Sequence, residues 1–177
     1  MAANPGTKLS SWVLAHKKDC THLALQKLCF YGYGIARALD ATDLGLVTFE
    51  AWKHGPVCPE VWFEYKDRGR EPIRLPPTAP IVRYDEATED ILRDVVCVYG
   101  ELSAWELREQ SHLETPWLNH QQRQSGIPDA EIVEHFRAKF GRPGEVMAPE
   151  YLFGTNSFAL DGLPVAKFDS LKDLANE

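Results

Sequence analysis

One helix constrains the fold of this chain more than any other feature. After Cys20, apolar or small residues recur at the spacing i, i+3, i+4, i+7, i+10, i+11 and i+14, and they are Leu25, Leu28, Cys29, Gly32, Ile35, Ala36 and Leu39. This spacing is typical of an α-helix with one continuous apolar stripe, and Thr21 is placed to cap its start. We therefore expect this helix to form the middle of the core.

The regions on either side of this helix have their own local signals. A shorter helix is predicted before it, with Ser10 or Ser11 near its start, and residues 17–19 are a polar connection. Residues 46–51 are rich in β-branched and aromatic side chains, which predicts either a short strand or an extended arm. Four prolines in residues 69–80 predict a loop, because proline cannot donate to a hydrogen-bond ladder.

Later helices have recognisable starts. Pro59 is placed in the first turn of one helix, and the next helix begins near Asp85. Ser103 and Glu106 form a capping box, and Thr115 is a cap before Pro116. The last helix follows Pro128 and stops at Gly141. Six or seven helices with short connections predict a mainly α fold, a compact single domain over residues 1–141. We expect residues 142–177 to be a partly ordered C-terminal extension, in which Asp161-Gly162 could turn a hairpin that Pro164 weakens.

Composition restricts the function classes open to such a domain. The 177 residues include 19 Lys and Arg against 26 Asp and Glu, a net charge of −7. This balance argues against a partner that is nucleic acid or an anionic membrane, since both require basic surface. No stretch approaches the roughly 20 apolar residues of a membrane span, and the first 14 residues lack the pattern of a secretory signal. A cytoplasmic location with free thiols is therefore expected.

Catalytic and metal-binding patterns are weak in this sequence. His16, Cys20, His22 and Cys29 are all zinc-ligand types, but they lack the two close pairs of a structural zinc site. Cys58 could act as a nucleophile only beside a base such as His54 or His112 and an oxyanion site, which sequence does not show. We expect no catalytic residue, metal or other cofactor, and keep a small metal- or cysteine-dependent hydrolase as the alternative.

Two dense clusters are the informative parts of the sequence. The first is Trp52, Lys53, His54, Gly55, Pro56 and Val57, and the second runs from His112 to Trp117. A rigid loop that carries tryptophan is typical of an interface hot spot, because the indole buries a large area at little entropic cost. The alternative for the first cluster places Trp52 in the core, with Gly55-Pro56 only turning the chain. The alternative for the second is a corner between helices, with Trp117 packed inward.

The order and separation of these segments resemble a known family. Residues 25–31, LQKLCFY, resemble the LQKLLY helix of the Panacea-domain proteins, the SocA-like antitoxins that include GepA-type phage-associated proteins. Residues 49–57 resemble the EAWxxGPV signature of that family, and residues 111–117 resemble its THxExPW corner. Cys29 stands where leucine is frequent and Ser111 where threonine is usual. The resemblance covers roughly residues 9–140.

This resemblance implies a function that composition alone does not. It implies a mostly helical, non-catalytic antitoxin of a bacterial or prophage pair, which neutralises a cognate protein toxin by direct binding. In one branch of the family the antitoxin also delivers its toxin to a Clp-type protease. We predict a toxin-binding surface formed by Trp52, Lys53, His54, Gly55, Pro56 and Val57 together with His112 and Trp117. The acidity of the chain would suit a basic toxin through electrostatic steering.

Overall fold

The computed structural model describes residues 4–141 and has a mainly α architecture. The helices of this part are α1 (Pro5–His16), α2 (His22–Ala38), α3 (Pro59–Tyr65), α4 (Glu86–Tyr99), α5 (Ala104–Ser111), α6 (Thr115–His120) and α7 (Asp129–Phe140). The strands are β1 (Phe49–Trp52), β2 (Gly55–Val57) and β3 (Gly126–Ile127), and Lys66–Arg68 form a 3₁₀ turn. The predicted fold class is confirmed. The expected extension from residue 142 and its Asp161-Gly162 hairpin lie outside the described residues.

Helix α2 is the centre of the molecule, as its apolar stripe predicts. Thr21 caps it through a hydrogen bond from the backbone nitrogen of Ala24, and every residue from 24 to 36 is buried. Helices α1, α4, α5 and α7 all pack against it. The apolar stripe predicts that one face of α2 is buried, but the helix is buried on every side. Polar side chains of α2 therefore also lie inside the protein.

An edge-to-face aromatic cluster joins α2 to the sheet and to α7. The ring centroid of Phe30 lies 5.4 Å from that of Phe49 on β1 and 5.5 Å from that of Phe136 on α7. Aromatic pairs in this arrangement stabilise a core beyond the area that they bury. The cluster fixes β1 against α2, and this places the hairpin of the first motif cluster.

The sheet is small and antiparallel, in the order β2-β1-β3. Strand β1 confirms the strand alternative for residues 46–51, although it begins only at Phe49. Strands β2 and β3 were not expected, because three and two residues are too few to show an alternating pattern. Lys53 and His54 form the turn between β1 and β2. Gly55 follows with a φ of +94°, a conformation that glycine adopts without strain.

Two predicted helix starts are wrong, and only the first error has a local cause. Helix α1 begins at Pro5 rather than near Ser10 or Ser11, because the Asn4 side chain accepts from the backbone nitrogen of Gly6 and Pro5 occupies the first turn. Helix α6 is capped by Glu114 instead of Thr115, and its carboxylate makes no capping hydrogen bond. The capping box of Ser103 and Glu106 and the start at Pro59 are confirmed.

Candidate functional site at the junction of three motifs

Two polar side chains of α2 hold the β1–β2 hairpin from inside the protein. The Nζ of Lys27 donates to the carbonyl oxygen of Pro56 at 2.7 Å. The Oε1 of Gln26 accepts from the backbone nitrogen of Cys58 at 2.8 Å, and its Nε2 donates to the carbonyl of Cys58 at 3.3 Å. Because β2 is short, these bonds replace part of the ladder that a longer strand would have.

Lys27 is an unusual buried amine. Its side chain is fully buried, and among the described residues no carboxylate is ion-paired with it. Burial lowers the pKa of Lys27 well below its usual value, and the charge of Arg108 lowers it further. The carbonyl of Pro56 is therefore the main compensation for removing this amine from water.

We expect Lys27 to make the stability of the fold rise with pH. The pKa in the folded state lies below the 10.5 of an ordinary lysine, so the unfolded chain binds more protons in the interval between the two values. In that interval the free energy of unfolding increases as the pH rises. Urea unfolding should show wild type gaining stability relative to Lys27→Met as the pH rises toward 10.5, because the substituted side chain has no titrating group. A difference that stays constant with pH would contradict this account of Lys27.

The three segments that resemble the family, residues 25–31, 49–57 and 111–117, are called the first, second and third motifs, and a buried carboxylate joins the third to α2 and α7. Glu114 accepts from the hydroxyl of Tyr31 at 3.3 Å, from the Nε2 of His135 at 2.5 Å, and from the ammonium of Lys139. Burial alone would raise the pKa of Glu114, but the hydrogen bond from His135 and the charge and hydrogen bond of Lys139 outweigh it and lower the pKa. Glu114 is therefore an ionised group inside the fold.

The second motif, residues 49–57, and the third motif, residues 111–117, contact each other directly. The indole Nε1 of Trp117 donates to the carbonyl oxygen of Trp52 at 2.8 Å. The ring of His112 stacks on Trp117 with centroids 3.9 Å apart. Burial, followed by the charge of Arg108, lowers the pKa of His112 to about 4, so this imidazole is neutral at pH 7. We use the name motif junction for the contacts of Gln26 and Lys27 with Cys58 and Pro56, of Glu114 with Tyr31, and of Trp117 with Trp52.

The structure divides the predicted toxin-binding residues into two groups. Buried residues are Gly55, Pro56, Val57 and Trp117, and they belong to the motif junction or lie against it. Lys53 and His54 are exposed at the hairpin turn, while Trp52 and His112 are half-buried. The core and interface interpretations of these clusters therefore apply to different residues, and only Trp52, Lys53, His54 and His112 offer surface to a partner.

A groove opens beside the exposed part of the hairpin. It has a volume of about 310 Å³. The residues lining it are His22, Leu23, Gln26, Trp52, Lys53, His54, Val57, Trp62, Gly69 and Gln124. We call it the Trp52–Trp62 groove. Trp62 was not among the residues predicted from sequence to bind a partner; it is half-buried, whereas Val61 and Tyr65 on the same helix are buried.

Cys58 does not have the properties of a catalytic nucleophile. Its side chain is fully buried, and burial raises the pKa of the thiol to about 11. A reactive cysteine needs a lowered pKa and access to solvent. Among residues 4–141, no group of three or more His, Cys, Asp or Glu side chains is arranged to hold a metal ion. Within residues 4–141, neither the thiol of Cys58 nor a metal-ligand cluster therefore supports the hydrolase alternative.

The fold and the site define a class of protein: a helical domain in which three separated motifs form one buried junction beneath an exposed hairpin. The model of the SocA-like antitoxin family, Panacea domain, matches residues 25–118. The chain belongs to this family, as its motifs indicated. Family membership supports a general antitoxin role and favours a non-enzymatic one. No curated protein and no solved structure matches the chain.

A helix needs about 20 mostly apolar residues to cross the hydrocarbon core. None of the helices within residues 4–141 is both long enough and apolar enough to do so.

Proposed function

We propose that this chain is the antitoxin of a bacterial or prophage toxin–antitoxin pair and neutralises a cognate protein toxin by direct binding in the cytoplasm. The observation that carries the proposal is the match of residues 25–118 to the antitoxin family, a span that contains all three motifs. The functional unit is residues 1–141, and residues 142–177 are an extension of it. Nucleic acid and membranes are not partners in this proposal, in keeping with the net charge of −7.

The toxin-binding surface is centred on the hairpin turn. Lys53 and His54 are exposed there, and Trp52 and His112 are half-buried beside them. The turn is fixed from below by the bond of Lys27 to Pro56 and by the bond of Trp117 to Trp52. A surface held in one conformation before binding loses less entropy on association, which favours tight binding. Gly55, Pro56, Val57 and Trp117 support this surface from within.

Growth of bacterial cells tests the antitoxin role. The product of the adjacent gene is expressed from one inducible promoter and this chain from another. The proposal expects that the adjacent product alone stops growth and that growth returns when this chain is present. An adjacent product that is harmless by itself would contradict the proposal.

Delivery to a Clp-type protease is the finer form of this proposal. Sequestration and delivery differ in the lifetime of the toxin. After synthesis is blocked, delivery predicts that the toxin disappears faster in cells containing this chain, and that deleting the protease restores its lifetime. An unchanged lifetime together with restored growth would establish sequestration instead.

Charge reversal at the turn separates binding from folding. Lys53→Glu is expected to weaken protection from the toxin, because it inverts the fixed charge at the centre of the proposed surface. Lys53 is exposed and makes no ion pair within the described residues. The free energy of unfolding of Lys53→Glu should therefore differ from that of wild type by less than about 0.5 kcal/mol. Lys18→Glu, an equal reversal in the α1–α2 connection, is the control. Full protection by Lys53→Glu would remove the turn from the binding surface.

A further inference from the structure

The Trp52–Trp62 groove is lined by two half-buried indoles. The centroids of the two indoles lie 5.2 Å apart at an angle of 59°. The ring of Phe63 lies 5.1 Å from Trp62 and continues the aromatic surface outward, with 66% of that residue exposed. The Nε1 of Trp52 donates to the carboxylate of Glu50 at 2.7 Å, which satisfies its polar atom. The groove can therefore bury an apolar side chain without leaving that indole N–H unpaired.

The charge of the groove is opposite to that of the whole chain. Asp and Glu outnumber Lys and Arg by 26 to 19. Nevertheless, none of the described residues that line the groove is Asp or Glu, whereas Lys53, His54 and His22 are among them. Glu50 accepts a hydrogen bond from Trp52, but it is not among the residues that line the groove. An anionic group that enters the groove thus meets donors and a lysine charge with no carboxylate in the lining to repel it.

His54 is prepared to donate a hydrogen bond. The Nε of Arg108 donates to its Nδ1 at 3.3 Å. An Nδ1 that accepts leaves the ring proton on Nε2, which can donate to an oxygen atom. Burial and then the charges of Arg108, Lys53 and Lys27 lower the pKa of His54, in agreement with a neutral ring. Arg108 is itself paired with Glu109, so Lys53 supplies the unpaired charge at this end.

We propose that the Trp52–Trp62 groove binds an acidic segment of a protein partner, with an apolar side chain against the two indoles and a carboxylate at Lys53 and His54. The inference rests on the proposed function, because the toxin would supply this segment. The acidic chain and its basic groove then have separate roles. The net negative charge of the chain steers a basic toxin toward it over a distance, whereas the groove selects the acidic segment that it contacts.

Short labelled peptides test the groove without the toxin. The probe is a fluorescein-labelled octapeptide in which Asp and Glu alternate with Phe and Leu. One comparison peptide has Lys in place of each acidic residue, and the other has Ser in place of each apolar residue. Fluorescence anisotropy with the full chain is expected to show that the acidic apolar probe binds at least about tenfold more tightly than either comparison peptide.

Matched variants locate the binding. Trp62→Ala and Lys53→Glu are each expected to weaken binding of the acidic apolar probe at least about tenfold. Ile81→Ala and Lys18→Glu make the same kinds of change at exposed residues of a different groove, and they should leave binding unchanged. Retained binding by Trp62→Ala, with its fold verified by circular dichroism, would overturn the assignment to this groove.

Other occupants give distinguishable results. AMP, a planar anion, is expected to give no saturable binding; if it binds more tightly than the peptide, the groove is a nucleotide site and the proposal fails. A dimer of the full chain that Trp62→Ala dissociates would assign the groove to a second copy and would also overturn the proposal. Growth protection without peptide binding would reject the groove assignment alone. Peptide binding with a harmless adjacent product would reject the antitoxin role alone.

Discussion

Replacing Glu114 with Ala is expected to lower the free energy of unfolding by about 3 kcal/mol, since truncating one member of a buried charged network leaves its partners uncompensated. The hydroxyl of Tyr31, which is fully buried, would lose its hydrogen-bond acceptor. His135 would lose a bond of 2.5 Å, and Lys139 an ion pair. Urea unfolding at pH 7 measures the loss.

Two further variants are the controls for Glu114→Ala. Glu114→Gln keeps an acceptor oxygen and should cost less than the alanine substitution, while Glu134→Ala removes an exposed carboxylate from α7 and should cost less than about 0.5 kcal/mol. The pKa of Glu114 is lowered in the folded state, so its stabilising effect is present above about pH 4.5 and is lost as the pH falls through the lowered value. The difference between wild type and Glu114→Gln should therefore shrink in acid. Equal stability of Glu114→Ala and wild type at pH 7 would contradict the motif junction.

Substituting Gly55 with Ala is expected to destabilise the fold by a similar amount, about 3 kcal/mol, through two effects that add. A side chain at a φ of +94° strains the backbone by roughly 1–2 kcal/mol. A Cβ atom there would also lie 2.5 Å from the Oγ of Ser111 and 2.8 Å from the Nζ of Lys27, and overpacking of this kind costs roughly 1–3 kcal/mol. Thermal or urea unfolding measures the sum.

Gly69 is the matched control for Gly55. Its φ is also positive, at +59°, but a Cβ atom there would meet no heavy atom within 4 Å. The ψ of Gly69 is −122°, so Gly69→Ala should show backbone strain without a steric clash, on the order of 1–3 kcal/mol. If Gly55→Ala costs no more than about 1 kcal/mol, the close contact of Gly55 with Lys27 and Ser111 has no energetic consequence.

The local features of this fold were predictable from sequence, and they concern residues within one or two helical turns. The stripe of α2, its Thr21 cap and the Ser103 capping box each depend on spacings of three or four residues, so the chain displays them directly. The start of α6 was not predictable in the same way. Thr115-Pro116 is a good local signal, but Glu114 takes the capping position because its side chain is held in the core by distant residues.

The motif junction was beyond local reasoning, because it is formed by residues far apart in the chain. Tyr31 and Glu114 are separated by 83 positions, and Trp52 and Trp117 by 65. Lys27 lies off the apolar stripe of α2 and would be placed on an exposed face, yet the hairpin covers it. The motifs identified the family correctly. They did not reveal which of their residues are buried and which are exposed, since that depends on contacts between the motifs.

Gel filtration of the purified pair measures direct binding between this chain and its toxin. The full chain is mixed with the product of the adjacent gene at equal concentration, and the fractions are assayed for both proteins and for toxicity. The account predicts one earlier-eluting species that contains both proteins and has lost the toxic activity, and a smaller share of that species with Lys53→Glu. Separate elution of the two proteins, with the toxin still active, would contradict it.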